Sequence, residues 1–141
     1  MTDNPTVNRW LEDKDMDHID HALGRPIYPL RATYRNHFAI DATSTRAAGF
    51  DASPHWTKRG QRDDMAFYSV SDAGRQALAD HLSKIEDPWR AFLVSFDGYS
   101  SIVPERNRNK AKYSYYLMVS DGWSELTFSD FCKRATVRNA A

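Results

Sequence analysis

The chain has a single cysteine, Cys132, which excludes an intrachain disulfide and any cysteine-rich metal site. A lone thiol is typical of a reducing compartment, so we expect a cytoplasmic location in a host cell. No apolar run approaches the ~20 residues that a membrane-spanning helix needs. Net charge is lacking too, because 19 basic side chains balance 19 acidic ones, and the whole molecule therefore has no strong attraction to polyanions.

Catalytic and metal-binding motifs are also lacking. The chain contains no GxSxG, no Walker-type glycine loop, no GxGxxG and no HExxH. His18 and His21 have a spacing that would place two zinc ligands on one helix face, but the remaining ligands would have to come from distant parts of the chain. Ordinary surface histidines are the simpler interpretation. We therefore predict no enzymatic activity, no metal site and no cofactor.

What the sequence does contain is a globular composition, with 41% hydrophobic and 13% aromatic residues over 141 positions. This is enough for one ordinary core or for two very small modules. Charge is unevenly divided: residues 1–87 hold 14 acids and 11 bases, whereas residues 88–141 hold 5 acids and 8 bases. The basic excess places any polyanion-binding surface in the C-terminal part.

The segment 63–85 carries the clearest structural signal. Residues 65–70 are apolar with aromatic and β-branched side chains, as expected for a strand. Ser71 stands at a helix N-cap position, and apolar residues then recur at helical spacing as far as Ile85. A short strand at 56–60, followed by a polar turn, would complete a hairpin that leads directly into this helix.

Two helices are predicted before the hairpin. Residues 7–23 combine apolar and acidic side chains, and Gly24 followed by Pro26 is typical of a helix end. Apolar residues at i, i+4 and i+8 predict a second helix over 30–40. The four tryptophans are expected to be core or inter-module anchors, and an exposed one would mark an interface.

A hairpin with a charged tip, followed by a helix, resembles the wing and closing helix of winged-helix domains. The sequence Tyr-Ser-Val-Ser-Asp-Ala-Gly-Arg-Gln-Ala-Leu at 68–78 is similar to the corresponding ending of multiple-antibiotic-resistance-type regulators. The resemblance implies a winged-helix-like domain over 7–86, whose wing would lie at the DNA backbone. The cations of this wing would be Lys58, Arg59 and Arg62. The stretch 44–56 makes a poor recognition helix, and use of the same shape against a protein is the alternative.

The chain from 88 to 138 predicts a β-hairpin followed by two helices. Asp97 and Gly98, between two apolar runs, are a strong hairpin signal. An asparagine-capped helix follows, and Thr127 opens a last short helix. The predicted fold class is therefore α+β: a winged-helix-like part at 7–86 and a smaller hairpin-plus-two-helix module at 88–138, sharing an interface.

This second module also resembles small, uncharacterised phage and prophage proteins. The likeness rests on Gly-Tyr-Ser-Ser-Ile-Val at 98–103, Arg-Asn-Lys-Ala-Lys-Tyr at 108–113 and Thr-Phe-Ser-Asp-Phe at 127–131. In those proteins the second motif more often reads Thr-x-Gly-Lys-Ala-Arg-Tyr, so this chain lacks its glycine. The sequences at 21–26 and 34–38 are similar to phage small proteins as well. The resemblance implies a phage or mobile-element origin and no catalytic activity.

The most function-like pattern is a basic run beside tyrosines in the second module. It comprises Arg106, Arg108, Lys110, Lys112 and Tyr113. Lys and Arg neutralise phosphates, and aromatic faces stack on unpaired bases, so the pattern predicts a nucleic-acid-binding surface. Further cations would extend this surface if they share its face, namely Lys133, Arg134 and Arg138. The alternative is a solvated basic turn whose tyrosines belong partly to the core.

A protein partner is the competing hypothesis. The acidic stretch of the first helix could mimic nucleic-acid phosphates and occupy a basic channel of a host complex, as an anti-defence inhibitor of the anti-CRISPR type would. The residues concerned are Glu12, Asp13, Asp17 and Asp20. We therefore expect a non-catalytic binding protein whose partner is either nucleic acid or a host nucleic-acid-binding protein complex.

Overall fold

The computed structural model describes residues 4–140 and has an α+β fold with two antiparallel three-stranded sheets, which confirms the predicted class. Helices α1 to α5 span Lys14–Leu23, Thr45–Ala52, Asp72–Lys84, Arg108–Ser120 and Phe128–Arg134. Strands β1 to β6 span Phe38–Asp41, Trp56–Arg62, Met65–Val70, Arg90–Phe96, Tyr99–Glu105 and Thr136–Asn139. Within the described residues, every helix is too short or too polar to cross a bilayer.

The first sheet has the strand order β1-β3-β2 and contains the predicted hairpin. Strands β2 and β3 pair antiparallel, from Trp56 opposite Val70 to Arg62 opposite Met65. The turn is shorter than predicted, because β2 continues to Arg62. Asp63 begins the turn with φ of 54°, a left-handed conformation that tight hairpin turns favour.

Helix α3 begins where its capping signal predicts. The Ser71 hydroxyl accepts a hydrogen bond from the Gly74 amide at 3.1 Å, and the Ser71 amide donates to the His55 carbonyl at 2.9 Å. A Cβ atom added at Gly74 would lie only 2.4 Å from that carbonyl oxygen. Arg75 then donates to the Pro29 carbonyl at 3.0 Å. The Gly-Arg pair therefore fixes the helix start against β2 and a preceding loop.

The helix predicted over residues 30–40 is wrong. This stretch is a loop until Phe38, where β1 starts and pairs antiparallel with β3. Asn36 secures the end of the loop, because its side chain accepts from the Val70 amide at 2.6 Å and donates to the Val70 carbonyl at 3.0 Å. Strand pairing and side-chain anchoring thus override a weak helical period.

Helix α1 is shorter than the helix predicted over 7–23. Asp13 acts as its N-cap, accepting from the Met16 amide at 3.1 Å, so the helix starts only at Lys14. Its end agrees with the sequence signal, since Gly24 closes the helix with φ of 85°. Residues 4–12 run without helical structure beside the exit of α1.

The second sheet has the strand order β5-β4-β6. The predicted β4–β5 hairpin is confirmed, with Asp97 and Gly98 at φ of 51° and 80° in its turn. Strand β6 is a correction to the predicted module, which had two strands only. It pairs antiparallel with the other edge of β4, Thr136 lying opposite Ser95.

The extensively packed element pairs lie either before or after Pro88, so each sheet carries its own helices and core. The second core forms between its sheet, α4 and α5, and includes Val94 and Phe131, which are fully buried. Of the tryptophans predicted to be core or inter-module anchors, Trp10 is the exposed kind that would mark an interface, because 75% of its surface is exposed. It is bound at the surface by the Arg25 guanidinium, 4.3 Å from the ring centroid.

Candidate nucleic-acid interface

A groove of about 680 Å³, here called the basic groove, opens between the first turns of α4 and α5. It contains four of the five predicted nucleic-acid-binding residues of the second module: Arg106, Lys110, Lys112 and Tyr113. Arg108 is not among its lining residues. Five more side chains complete the walls, namely Glu105, Asn109, Ser114, Phe128 and Cys132.

The helical period of α4 explains why these side chains face the groove. Ala111 and Tyr115 are buried in the second core, so Lys110 and Tyr113 lie toward the outside of the helix. Asn107 caps α4 by accepting a hydrogen bond from the Lys110 amide at 2.8 Å. This amide is therefore already bonded and is not available to an anion.

The cations of the basic groove are not paired in salt bridges with described residues. Within residues 4–140, neither Arg106 nor Lys110 nor Lys112 forms a salt bridge. The Arg106 guanidinium lies 5.4 Å from the centroid of the Trp89 ring, a cation–π contact that orients it and leaves its charge intact. All three charges are therefore available to an anionic ligand.

One carboxylate, Glu105, also lies in the groove. One of its oxygens accepts from the Arg106 amide at 3.1 Å, and the other accepts from the Ser114 hydroxyl at 3.2 Å. These hydrogen bonds fix the carboxylate at the end of β5. The groove thus combines three cations with one negatively charged hydrogen-bond acceptor, the Glu105 carboxylate, which is held in a fixed position.

Two aromatic rings form the apolar part of the groove. Tyr113 is 49% exposed and Phe128 is 38% exposed. The ring centroids are 5.3 Å apart and the planes are nearly perpendicular, at 87°. Sequence reasoning missed Phe128 as a site residue. The only sequence signal was its place just after Thr127, whose N-cap role the structure confirms.

The remaining C-terminal cations lie outside the basic groove. Arg134 forms an ion pair with Asp97, and its guanidinium is 4.8 Å from the Phe96 ring centroid. Lys133 lines a separate cavity beside Trp123. Arg138 lies on β6, opposite Leu93 of β4. These residues therefore do not extend the groove as the sequence pattern suggested.

The predicted wing cations are distributed along β2 of the other sheet. Lys58 donates to the Gln61 side chain at 3.0 Å, and Arg59 donates to the Ser69 hydroxyl at 2.7 Å. Arg62 ends the strand, next to the Asp63–Asp64 turn. Because these cations are partly engaged and stand beside two acids, the hairpin is a weaker phosphate site than the basic groove.

The acidic residues proposed for a protein partner divide into two groups. Glu12 and Asp13 are exposed, Asp13 serving as the α1 cap. Asp17 forms an ion pair with Arg25 at 2.7 Å. Asp20 is fully buried and therefore cannot belong to an acidic surface.

The two histidines of α1 do not assemble a metal site. In the part of the chain that the structure describes, no group of three or more His, Cys, Asp or Glu side chains could hold a metal ion. His18 lies in a second cavity, of about 480 Å³, between α1 and α2. Burial lowers the pKa of His18, and the Arg46 charge lowers it further. This cavity therefore contains a neutral imidazole at pH 7.

Comparison of the chain with protein-family models, with curated proteins and with solved structures gives no match.

Proposed function

We propose that the protein binds nucleic acid through the basic groove, as a non-catalytic protein of a phage or mobile element acting in the host cytoplasm. One observation carries the proposal: three cations without salt-bridge partners among residues 4–140 converge with two partly exposed aromatic rings. Cations bind phosphates and release their counterions, while exposed rings stack on bases. The resemblance to phage small proteins supports the proposed origin.

The winged-helix resemblance supports this proposal only in part. A hairpin and a closing helix are present, but α2 is the single helix between β1 and β2, whereas a helix-turn-helix needs two. α2 is only eight residues long, Thr45–Ala52, and has a glycine inside it. The proposal therefore places the nucleic acid on the basic groove, and gives the β2–β3 hairpin no role in reading bases.

Charge reversal in the groove tests the proposal. The double variant Lys110→Glu/Lys112→Glu is expected to weaken binding of a labelled oligonucleotide about tenfold or more, because two attractive interactions with phosphates become repulsive. The slope of log affinity against log salt should also fall by about one for each phosphate interaction that the variant removes. Fluorescence anisotropy titrations at several salt concentrations measure both quantities.

A matched control separates a site from a general charge effect. Lys58→Glu/Lys84→Glu changes the net charge equally, but both positions lie in the first sheet and its helices. Its affinity should stay near that of the wild type. Equal losses in the two double variants would overturn the groove as the site, and a wild-type protein that binds no oligonucleotide would overturn the function.

A second candidate function is inhibition of a host protein complex, and exposed Trp10 favours it. Its ring is 75% exposed, and Glu12 and Asp13 are exposed close by in the chain. Tryptophan is enriched at binding hot spots, and acidic neighbours suit a basic channel in a nucleic-acid-binding complex. Asp20 takes no part in this surface, because it is buried.

Capture from nuclease-treated host lysate tests this second candidate. The inhibitor hypothesis requires that the wild-type protein holds a stoichiometric protein complex after nuclease treatment and that the Trp10→Ala variant does not. Trp123→Ala is the matched control, because Trp123 is also partly exposed, at 39%, but lies after Pro88. If nuclease removes every partner, or if both variants retain the complex, the Trp10 surface is not the binding site.

A further inference from the structure

We propose that the basic groove accepts an unpaired base, so that its ligand is single-stranded nucleic acid. This inference rests on the proposed function and adds the class of nucleic acid. It follows from the shape and lining of the site, a concave groove of about 680 Å³ with the aromatic side chains of Tyr113 and Phe128 in its wall. That volume lies within the usual range for sites that enclose small ligands.

The exposed rings favour a single strand over a duplex. Tyr113 and Phe128 leave 49% and 38% of their surface in solvent, beside three cations. In a duplex both faces of each base are already stacked on neighbouring pairs, so these rings would gain nothing. Unpaired bases have free faces and stack on aromatic side chains irrespective of sequence.

The polar side chains of the groove offer cations for a phosphate and a carboxylate acceptor for a base edge. Arg106 and Lys110 present unneutralised charge for the backbone. The Glu105 carboxylate would repel a phosphate, yet it is held in the groove by the Ser114 hydroxyl at 3.2 Å. Carboxylates accept hydrogen bonds from base amino groups, so this position fits a base edge better than a phosphate.

Four ligands of one sequence test the inference in direct binding titrations. They are single-stranded DNA and RNA of about 12 nucleotides, a length within the usual site sizes of single-strand binders, the DNA duplex, and the same DNA strand with its bases removed at several positions. Wild-type protein is expected to bind at least one single strand more tightly than the duplex or the abasic strand. Preference between the DNA and RNA strands identifies the sugar and supports the inference either way.

The ring itself is tested by paired variants. Tyr113→Ala should weaken single-strand binding about 5- to 100-fold and leave duplex binding unchanged, because stacking is the interaction removed. Tyr113→Phe keeps the ring and should bind as the wild type does. Tyr99→Ala is the matched control, since Tyr99 is 74% exposed but lies at the β4–β5 turn, away from the groove.

The possible outcomes distinguish failure of this inference from failure of the proposed nucleic-acid binding. Equal affinity for duplex, abasic and intact strands, with Tyr113→Ala unaffected and Lys110→Glu/Lys112→Glu still weakened, overturns base insertion and leaves nucleic-acid binding standing. Equal losses in Tyr113→Ala and Tyr99→Ala also overturn it. Absence of binding to all four ligands overturns both. Thermal unfolding of each variant shows whether any weakened binding reflects a folding defect.

Discussion

Individual charged residues decide which surfaces this protein presents. Asp20 accepts hydrogen bonds from Arg9 at 2.7 and 2.9 Å and from Arg25 at 3.2 Å, all in the interior. A carboxylate is tolerated inside a protein only when it is paired and hydrogen-bonded in this way. Asp20 therefore connects the segment around Arg9 to α1. Of the acidic residues proposed for a protein partner, the exposed ones are Glu12 and Asp13.

The pKa values of two carboxylates near this network are shifted in opposite directions. Burial raises the pKa of Asp87, and Arg9 at 3.3 Å compensates only in part. Burial also raises the pKa of Asp17, but hydrogen bonds from Arg25 and the Leu11 amide outweigh it and leave the pKa below its ordinary value. Asp17 thus contributes stability that is lost as pH falls through its folded pKa, whereas protonation of Asp87 favours the folded state.

Tyr68 makes stability sensitive to alkaline pH. Burial and its hydrogen bond to Asp51, at 2.7 Å, raise the pKa of Tyr68 to about 12. An unfolded tyrosine ionises near pH 10, so above that pH the unfolded state is favoured progressively. At pH 11 we expect the free energy of unfolding to have fallen by roughly 1 kcal/mol from this group alone. Denaturant unfolding between pH 8 and pH 11 measures it.

The Tyr68→Phe variant isolates that contribution from the other titrating groups. It lacks the phenol and should start less stable at pH 8 by about 1 kcal/mol, the usual contribution of one hydrogen bond. The difference between the two proteins should then shrink as the pH rises. Parallel curves for the two proteins would contradict the raised pKa of Tyr68.

At the scale of elements, the contact between α3 and β2 depends on one missing side chain. A Cβ atom at Gly74 would meet the His55 carbonyl oxygen at 2.4 Å and a Val70 methyl at 2.6 Å. Alanine favours helices over glycine by about 1 kcal/mol, but overpacking costs about 1–3 kcal/mol and backbone at such a distance cannot yield easily. Gly74→Ala should therefore lower the midpoint of thermal unfolding.

Gly49→Ala is the control for this change. Gly49 lies inside α2 with no atom within 4 Å of an added Cβ, so the same substitution brings only the helix preference of alanine. Its thermal midpoint should rise slightly or stay unchanged. Similar midpoints for the two glycine variants would show that the helix start moves freely away from β2.

At the scale of the whole molecule, charge and structure divide at the same place. The acidic excess lies before Pro88 with the first sheet, and the basic excess lies after it with the second. Much of the acidic excess is engaged internally, as in the pairs of Asp17 and Asp20 with arginines. The groove cations have no such salt-bridge partners among residues 4–140. Their positive charge can therefore attract an anionic ligand from solution.

The candidate site was partly predictable from the sequence. Four residues of the basic run line one groove, because α4 is a regular helix whose faces follow from its period. Glu105 and Phe128 were not predictable, since the groove forms only where the end of β5 meets the start of α5. Arg108 was assigned to the surface by composition alone, and the geometry of α4 leaves it outside the groove lining.

Sequence patterns alone were enough to predict the cap at Ser71, an asparagine cap for α4, the turn at Asp97–Gly98 and the hairpin strands β2 and β3. These features depend on interactions within a few residues, which local composition encodes. Only the tertiary structure decided that β1 and β6 are strands and that Asp20 is buried. Each of these depends on partners far along the chain, whose contacts outweigh the weak preferences of the segment itself.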